Sequence, residues 1–329
     1  MKLSVVVPCY NEQEALSHTA NVLEKLMLEL MARGIIAADS NIWLIDDGSI
    51  DGTWPLIESL VNRSELFVGV KLSRNRGHQH ALLAGLLSAD GDAVVSIDAD
   101  LQDDPAAIEA MVAAYRSGYE IVYGVRKARQ TDTRFKRWTA LGYYRLLRIL
   151  GVDVVPNHAD FRLMGRKAVN ALASYTEVNL FLRGIIPQLG FRSTSVLYDR
   201  QGRVAGESKY SLKKMLWLGL DGITSFSAVP LRMIATLGGF VCVFSIAMVI
   251  WIIFLRLFTD RALPGWASTT VPIYLLGGIQ LLSLGIVGEY VSKIYSESKH
   301  RPRFLIERVE RRKAGIKIDA DGGRPCTDL

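Results

Sequence analysis

Three short apolar runs each stop at a cluster of polar or acidic residues, and this pattern limits the fold more than any other feature. Leu3–Val7 runs into Pro8-Cys9-Tyr10-Asn11-Glu12, Ile42–Ile45 into Asp46-Asp47-Gly48-Ser49, and Ala93–Ile97 into Asp98-Ala99-Asp100. Leu66–Leu72 and Glu120–Gly124 are two more runs of the same kind. Apolar runs this short, bounded by Gly, Asp or Pro and separated by helical stretches, read as buried parallel strands with crossover helices. Residues 1–200 are therefore expected to form an α/β domain on a mostly parallel, Rossmann-like sheet. Open sheets of this class bind ligands beyond the carboxyl ends of their strands, which is where the three clusters fall.

The second half of the chain changes character. Arg134, Arg137, Arg145 and Arg148 share one helical face, with Phe135, Tyr143, Leu146, Leu147 and Leu150 roughly opposite. Over residues 201–230, Leu212, Met215, Leu216, Ile223 and Phe226 share a face, with Lys213, Lys214 and Asp221 turned away. Basic amphipathic helices suit an anionic membrane surface, and equally suit packing on their own domain. Met233–Leu255 and Ala262–Gly288 contain no charged residue. About 20 apolar residues cross a hydrocarbon core, so residues 231–290 are expected to form a two-helix transmembrane hairpin. The alternative is a pair of buried core helices. Residues 291–329 then form a basic tail, with Lys293, Lys299, Arg301, Arg303, Arg308, Arg311, Arg312 and Lys313. By the positive-inside rule, catalytic domain and tail are expected on the cytoplasmic side of an inner membrane. Gly238-Gly239 and Gly277-Gly278 would let spans pack against copies of themselves as a homo-oligomer.

Composition mainly excludes. The three cysteines, Cys9, Cys242 and Cys326, are far apart, with no CxxC pair, so neither a disulfide framework nor a zinc site is expected. The net charge of +6 suits phosphorylated substrates, anionic lipid or nucleic acid without choosing among them. The first apolar run is too short for a signal-peptide core and ends at Pro8, so it reads as a strand.

The polar clusters carry the chemistry. Two carboxylates one residue apart, just past a buried strand, repel unless solvent screens them or a cation sits between them. Such oxygen ligands suit Mg²⁺ or Mn²⁺, and Gln102 is close enough in sequence to join Asp98 and Asp100. Asp46 and Asp47 can accept hydrogen bonds from a ribose hydroxyl or a base N–H, or can belong to a turn capped by Asp51 or Thr53. Pro8 to Glu12 offers a stacking ring and acceptors, or is only a strand-to-helix turn. His78 and His80 stand two apart, poor geometry for a shared ion, and are read as structural or nucleotide-adjacent. His158 is left without a role.

PCYNE, DDGS, DADLQ and DFRLM, in this order and spacing, resemble the family 2 glycosyltransferases of GT-A fold. More narrowly, the chain is similar to the bactoprenol glucosyltransferases and dolichol-phosphate mannose synthases, over nearly its whole length. The resemblance implies that Pro8, Tyr10, Glu12, Asp46, Asp47 and Asp98 hold the nucleotide, and that Asp98, Asp100 and Gln102 hold Mg²⁺ or Mn²⁺ against its diphosphate. It implies Asp160, Arg162 and Arg126 at the reacting centre, with Asp160 as a base or as a positioning group. Arg126, Arg129, Arg134 and Lys209 are the expected clamps on the acceptor phosphate. The implied reaction is inverting transfer of a sugar, glucose first, from a nucleotide sugar, UDP-linked first, to undecaprenyl or another polyprenyl phosphate. Mannose, N-acetylglucosamine, galactose and an aminoarabinose derivative stay open. A flippase and a periplasmic glycosyltransferase would act downstream, in modifying a surface polysaccharide such as O-antigen.

Four rivals fare worse. A dinucleotide dehydrogenase wants GxGxxG where this chain has PCYNE. A nucleic-acid binder does not fit an acidic strand edge, and no nucleic-acid partner is expected. A processive synthase lacks its QxxRW element here. A non-catalytic membrane scaffold would have no use for the paired carboxylates of Asp98 and Asp100.

Overall fold

The structure, a computed structural model, describes residues 1–126, 158–178, 180–199, 231, 233–234, 236–241, 243–244, 247, 250–251 and 266–312. Both amphipathic segments, with Arg129, Arg134 and Lys209, lie outside these residues, as do Cys242 and Cys326.

The strands are β1 Leu3–Cys9, β2 Asn41–Asp46, β3 Phe67–Leu72, β4 Ala93–Ser96, β5 Ile121–Arg126, β6 His158–Gly165, β7 Ser193–Tyr198 and β8 Ile306–Arg311. The helices are α1 Leu16–Ala32, α2 Thr53–Arg63, α3 His78–Ser88, α4 Ala107–Arg116, α5 Arg166–Ala173, α6 Leu182–Gln188 and α7 Trp266–Ser298. The eight strands form one sheet in the order β7-β5-β6-β4-β1-β2-β3-β8.

The sheet is buried on both faces. Along β1, Leu3, Val5, Val7 and Cys9 point into one apolar cluster and Val6 into the other, the period of two that a strand imposes. The first cluster lies under α1, whose Leu16, Ala20, Leu23, Met27 and Leu30 recur at helical spacing, and under Ile108, Met111 and Val112 of α4. The second lies under Leu82, Leu83 and Leu86 of α3 and Ile185 and Ile186 of α6. Pro8 sits within central β1 without spoiling it. The β1–β4 ladder stops at Val6 opposite Ser96, so the missing proline N–H falls beyond it.

Strands β1 to β4 are mutually parallel, and β5 pairs parallel with β7. Two strands run the other way. β6 enters between β4 and β5, antiparallel to both, and places Arg162 opposite Ser96. β8 returns antiparallel along β3. Part of the expected basic tail is therefore an edge strand, with the Arg311 guanidinium 4.7 Å from the Trp43 ring centroid. Its charged side chains blunt the open edge.

The membrane-spanning expectation is corrected. Among the described residues no helix is long and apolar enough to cross a membrane. The transmembrane hairpin and the multi-pass inner-membrane placement, which rested on charge-free runs, are therefore not supported. From Trp266 onward the second run lies in α7, which continues past it through Glu289, Lys293 and Glu297. The first run falls partly outside the described residues. Neither matches a buried core helix, since Phe240, Leu281 and Leu284 are 70%, 73% and 67% exposed.

Candidate active site

The carboxyl ends of β1, β2 and β3 are bound together by their loops. Asn11, in the left-handed region at φ 54°, donates its backbone N–H to Ser49 and accepts one from Ile50. The Glu12 N–H reaches Thr53 Oγ1 at 2.9 Å. Gly48, also left-handed at φ 67°, passes so close to the loop after β3 that an added Cβ would lie 2.6 Å from the Arg74 carbonyl carbon. Asp47 completes this joint: its two carboxylate oxygens accept the N–H groups of Arg76 and Gly77, each at 2.8 Å. The side chain of Asp47 thus ties the loop after β3 to the end of β2. Asp46 differs. It is buried, one oxygen accepts the Ser49 N–H at 3.1 Å, and Oδ2 has no partner. Burial pushes its carboxyl up, against the pull of Ser49. Tyr10 beside it is 43% exposed, whereas Pro8 is buried in β1. The expected cap at Asp51 or Thr53 is corrected: Gly52 stands at the cap of α2 without a side-chain bond, and Asp51 Oδ1 accepts the Thr53 N–H at 3.0 Å from one position further out.

After β4 the chain turns through Leu101, held at φ 47° with its side chain buried. A bulky residue there is strained at a cost of about 1–3 kcal/mol, which burial and neighbouring bonds must offset. One such bond runs from Thr19 Oγ1 to the Ala99 carbonyl at 2.5 Å. The turn brings Asp98, Asp100 and Gln102 together, with the Gln102 amide nitrogen donating to Asp100. Burial pushes the Asp98 carboxyl up to about 6; Asp160, Asp103 and Asp100 push the same way, and His78 opposes them. Among the described residues no group of three or more His, Cys, Asp or Glu side chains is placed to hold a metal ion. Two carboxylates and an amide oxygen still fit a hard divalent cation, which takes the rest of its shell from substrate phosphate and water. Burial first, and the neighbouring carboxylates after it, hold Asp98 near 6, and such a cation would offset both.

His78, at the start of α3, joins this turn to β6. Its Nε2 lies 3.5 Å from Asp98 Oδ1 and 3.5 Å from Asp160 Oδ2. Burial lowers its pKa, but the bond to Asp160 and the charge of Asp98 win, and the net shift is upward. Asp160 is a charge hub. It accepts from the fully buried Arg162, from Arg183 Nε at 3.2 Å and Nη2 at 3.0 Å, and from Gln79 at 3.2 Å. Burial would raise its carboxyl, but these partners hold it well below the usual carboxylate range. Arg162 Nη1 has no partner. A second knot lies at the end of β5. Arg126 Nη2 meets Asp103 Oδ1 at 2.8 Å, and the Tyr198 hydroxyl meets the same oxygen at 2.5 Å. Tyr198 packs edge-on against Phe161, with ring centroids 5.3 Å apart.

The model of the family described as Glycosyl transferase family 2 matches residues 4–173. The chain belongs to this family. The glycosyltransferase YkoT of Bacillus subtilis is 50% identical over 307 residues, covering 93% of this chain and 91% of that protein. A bactoprenol glucosyl transferase of Shigella phage SfV is 40% identical, covering 93% of this chain and 98% of the relative. A prophage-derived bactoprenol glucosyl transferase of Shigella flexneri is 39% identical over 94% and 99%.

In this glycosyltransferase the structure brings together Asp98, Asp100, Gln102, Asp160 and Arg162, while Asp46 ends β2 and the exposed Tyr10 follows β1. Arg126 is held by Asp103 and Tyr198. Sequence reasoning passed over Arg183, Gln79 and Asp103, and gave His78 no part in the charge cluster. Arg183 is a lone cation in the apolar stretch Phe181-Leu182-Arg183-Gly184-Ile185-Ile186. A charge that no apolar helix face can use was the available signal.

Proposed function

We propose that this glycosyltransferase moves a sugar, glucose in the first instance, from a UDP-sugar to a polyprenyl phosphate with inversion at the anomeric carbon. The observation that carries the reading is the meeting of two carboxylate sites through His78: Asp98 beside Asp100 on one side, and Asp160 with its arginines on the other. An acidic pair suits the cation of a nucleoside diphosphate. A cation-rich carboxylate suits a second, anionic substrate. The relatives named bactoprenol glucosyl transferase support a lipid carrier as that substrate.

The residues divide the work as follows. The exposed Tyr10 ring offers the nucleoside a stacking face. Asp98, Asp100 and the Gln102 carbonyl oxygen would hold Mg²⁺ or Mn²⁺. The chemistry a divalent cation supplies there is charge neutralisation on the departing diphosphate. The acceptor phosphate needs no general base, since its second pKa lies near 6 and it is mostly a dianion at neutral pH. Asp160, held strongly ionised, is a poor base for any proton in that range; it orients arginines instead. One C–O bond forms between the acceptor oxygen and the anomeric carbon as the bond to the diphosphate oxygen breaks, and the electron pair leaves with the nucleoside diphosphate.

The test is radiolabel transfer from a panel of nucleotide sugars to undecaprenyl phosphate, scored in the organic phase. Label from one donor supports the reading and names the sugar. No label from any donor, with protein that binds nucleotide sugar, removes it.

A further inference from the structure

Three segments far apart in the chain converge on one carboxylate oxygen. Asp103 follows Gln102 directly, so it continues the turn that carries Asp98 and Asp100. Its side chain is fully buried, and its charge is one of those that push the Asp98 carboxyl up. Arg126 closes β5. Because β6 runs antiparallel to both β4 and β5, β4 and β5 run the same way, and Arg126 stands at the same edge of the sheet as Asp98. Tyr198 closes β7 and is the register partner of Arg126. Arg126 gives Nη2 at 2.8 Å and Nε at 3.1 Å to Asp103 Oδ1, and the Tyr198 hydroxyl lies 2.5 Å from the same oxygen. The Arg126 Nε also meets that hydroxyl at 3.1 Å.

A pair that only held the fold together would spread two parallel bonds over both carboxylate oxygens. Here the donors crowd onto Oδ1, while Oδ2 is buried with no partner. An orphaned buried oxygen is a cost that a fold seldom carries without a reason. What the crowding achieves is orientation. The Nε and Nη2 edge of Arg126 is turned inward and braced by the phenol, and Nη1 has no partner among the described residues. Exposure divides the three in the same way: Asp103 and Tyr198 are buried, and the Arg126 side chain is 31% exposed. Two members hold, and the third is presented at the edge where the acidic turn lies.

We propose that Asp103 is a positioning residue of the transfer reaction: with the Tyr198 hydroxyl it fixes the Arg126 guanidinium, outer edge towards a substrate phosphate, at a set spacing from the turn that carries Asp98 and Asp100. The inference rests on the reaction proposed above and deepens it. Asp103 touches no substrate and acts through Arg126. A planar guanidinium held by one edge suits phosphate oxygens on the other, and both the donor diphosphate and the acceptor phosphate offer them.

The experiment is a double-mutant cycle on the purified full chain, with nucleotide sugar, divalent cation and polyprenyl phosphate in detergent micelles. It compares wild type, Asp103→Asn, Arg126→Gln and the double variant. Loss of a charge-assisted bond predicts that Arg126→Gln lowers kcat/KM roughly 10- to 100-fold, and the substrate whose KM rises names the phosphate. Asp103→Asn should lower the same parameter by roughly tenfold. The double variant should be no worse than Arg126→Gln alone, to within about twofold. Tyr198→Phe removes only the hydroxyl; it should cost a few-fold in the wild type and nothing beside Arg126→Gln. Losses that multiply in the double variant overturn the assignment and leave Asp103 a support for the fold. Unchanged kinetics in Arg126→Gln or in Asp103→Asn overturn it as well. If Asp103→Asn does not fold, the cycle of Tyr198→Phe with Arg126→Gln decides by the same rule. A wild type that binds donor yet labels no lipid removes the parent reading, an outcome distinct from the variants failing alone.

Discussion

Gly48 and Arg74 touch backbone to backbone, and a Cβ on Gly48 would meet the Arg74 carbonyl carbon at 2.6 Å. With φ at 67°, Gly48 occupies a conformation that L side chains rarely adopt. Gly48→Ala therefore has to push away the loop that Asp47 holds through Arg76 and Gly77. We expect a loss of about 1–3 kcal/mol from strain of this kind and a weakened affinity for nucleotide sugar, read by thermal unfolding and by titration of the donor. Unchanged affinity would show that this loop does not shape the donor pocket.

Asp98 gives a pH signature whose sign is fixed. Its carboxyl sits at about 6 in the fold, above its ordinary value, chiefly through burial. A carboxyl raised on folding contributes stability below its unfolded pKa, and that contribution is lost as pH rises towards 6. A cation bound to Asp98 and Asp100 removes the penalty. Mg²⁺ or Mn²⁺ should thus raise Tm more at about pH 7.5, above the shifted value, than at about pH 5, below it, and Asp98→Asn should abolish the difference. An equal rise at both pH values would argue against a cation at this pair.

Asp160 behaves in the opposite sense. Its carboxyl is depressed despite burial, by His78, Arg162 and Arg183. Its stabilising contribution is present above the ordinary carboxylate range and lost only as pH falls below it. Asp160→Asn leaves two guanidiniums facing a neutral amide, one of them fully buried. Removing one partner of a buried ion pair costs about 3–5 kcal/mol, and chemical denaturation should show a loss of that order at neutral pH. Activity should fall without the shifted pH optimum that loss of a general base would produce.

The strands that carry the site were legible because buried β-branched runs and the acidic residues after them announce themselves locally. Leu3–Cys9, Asn41–Asp46 and Ala93–Ser96 fall within two residues of the runs read from sequence. Less local features were not. The Ile306–Arg311 strand is Ile-Glu-Arg-Val-Glu-Arg, a charged edge whose pairing with Phe67–Leu72 spans more than half the chain, so it read as tail. The charge-free runs after residue 231 read as spans because the absence of charge was the signal, and among the described residues no helix is long and apolar enough to cross a membrane. Asp103 and Tyr198 meet across a separation of 95 residues, and no local pattern encodes that.

The same long-range coupling yields a further expectation. Both Glu297 carboxylate oxygens accept the Val178 N–H, at 3.0 and 2.8 Å, and His80 meets the Val178 carbonyl at 3.3 Å. Val178 lies just ahead of Leu182–Gln188, the helix that carries Arg183. Glu297→Ala should speed hydrogen exchange at the Val178 amide by about tenfold, the loss of one modest hydrogen bond.

The central claim is transfer to a lipid phosphate, and mass spectrometry of the reaction product tests it most directly. Purified full-length wild type and Asp98→Asn would be incubated with UDP-glucose and undecaprenyl phosphate, with Mn²⁺ or with EDTA. The account predicts a hexosyl undecaprenyl phosphate from wild type with Mn²⁺, little with EDTA, and little from the variant. UDP released with no glycosylated lipid, or equal product in all samples, would contradict it.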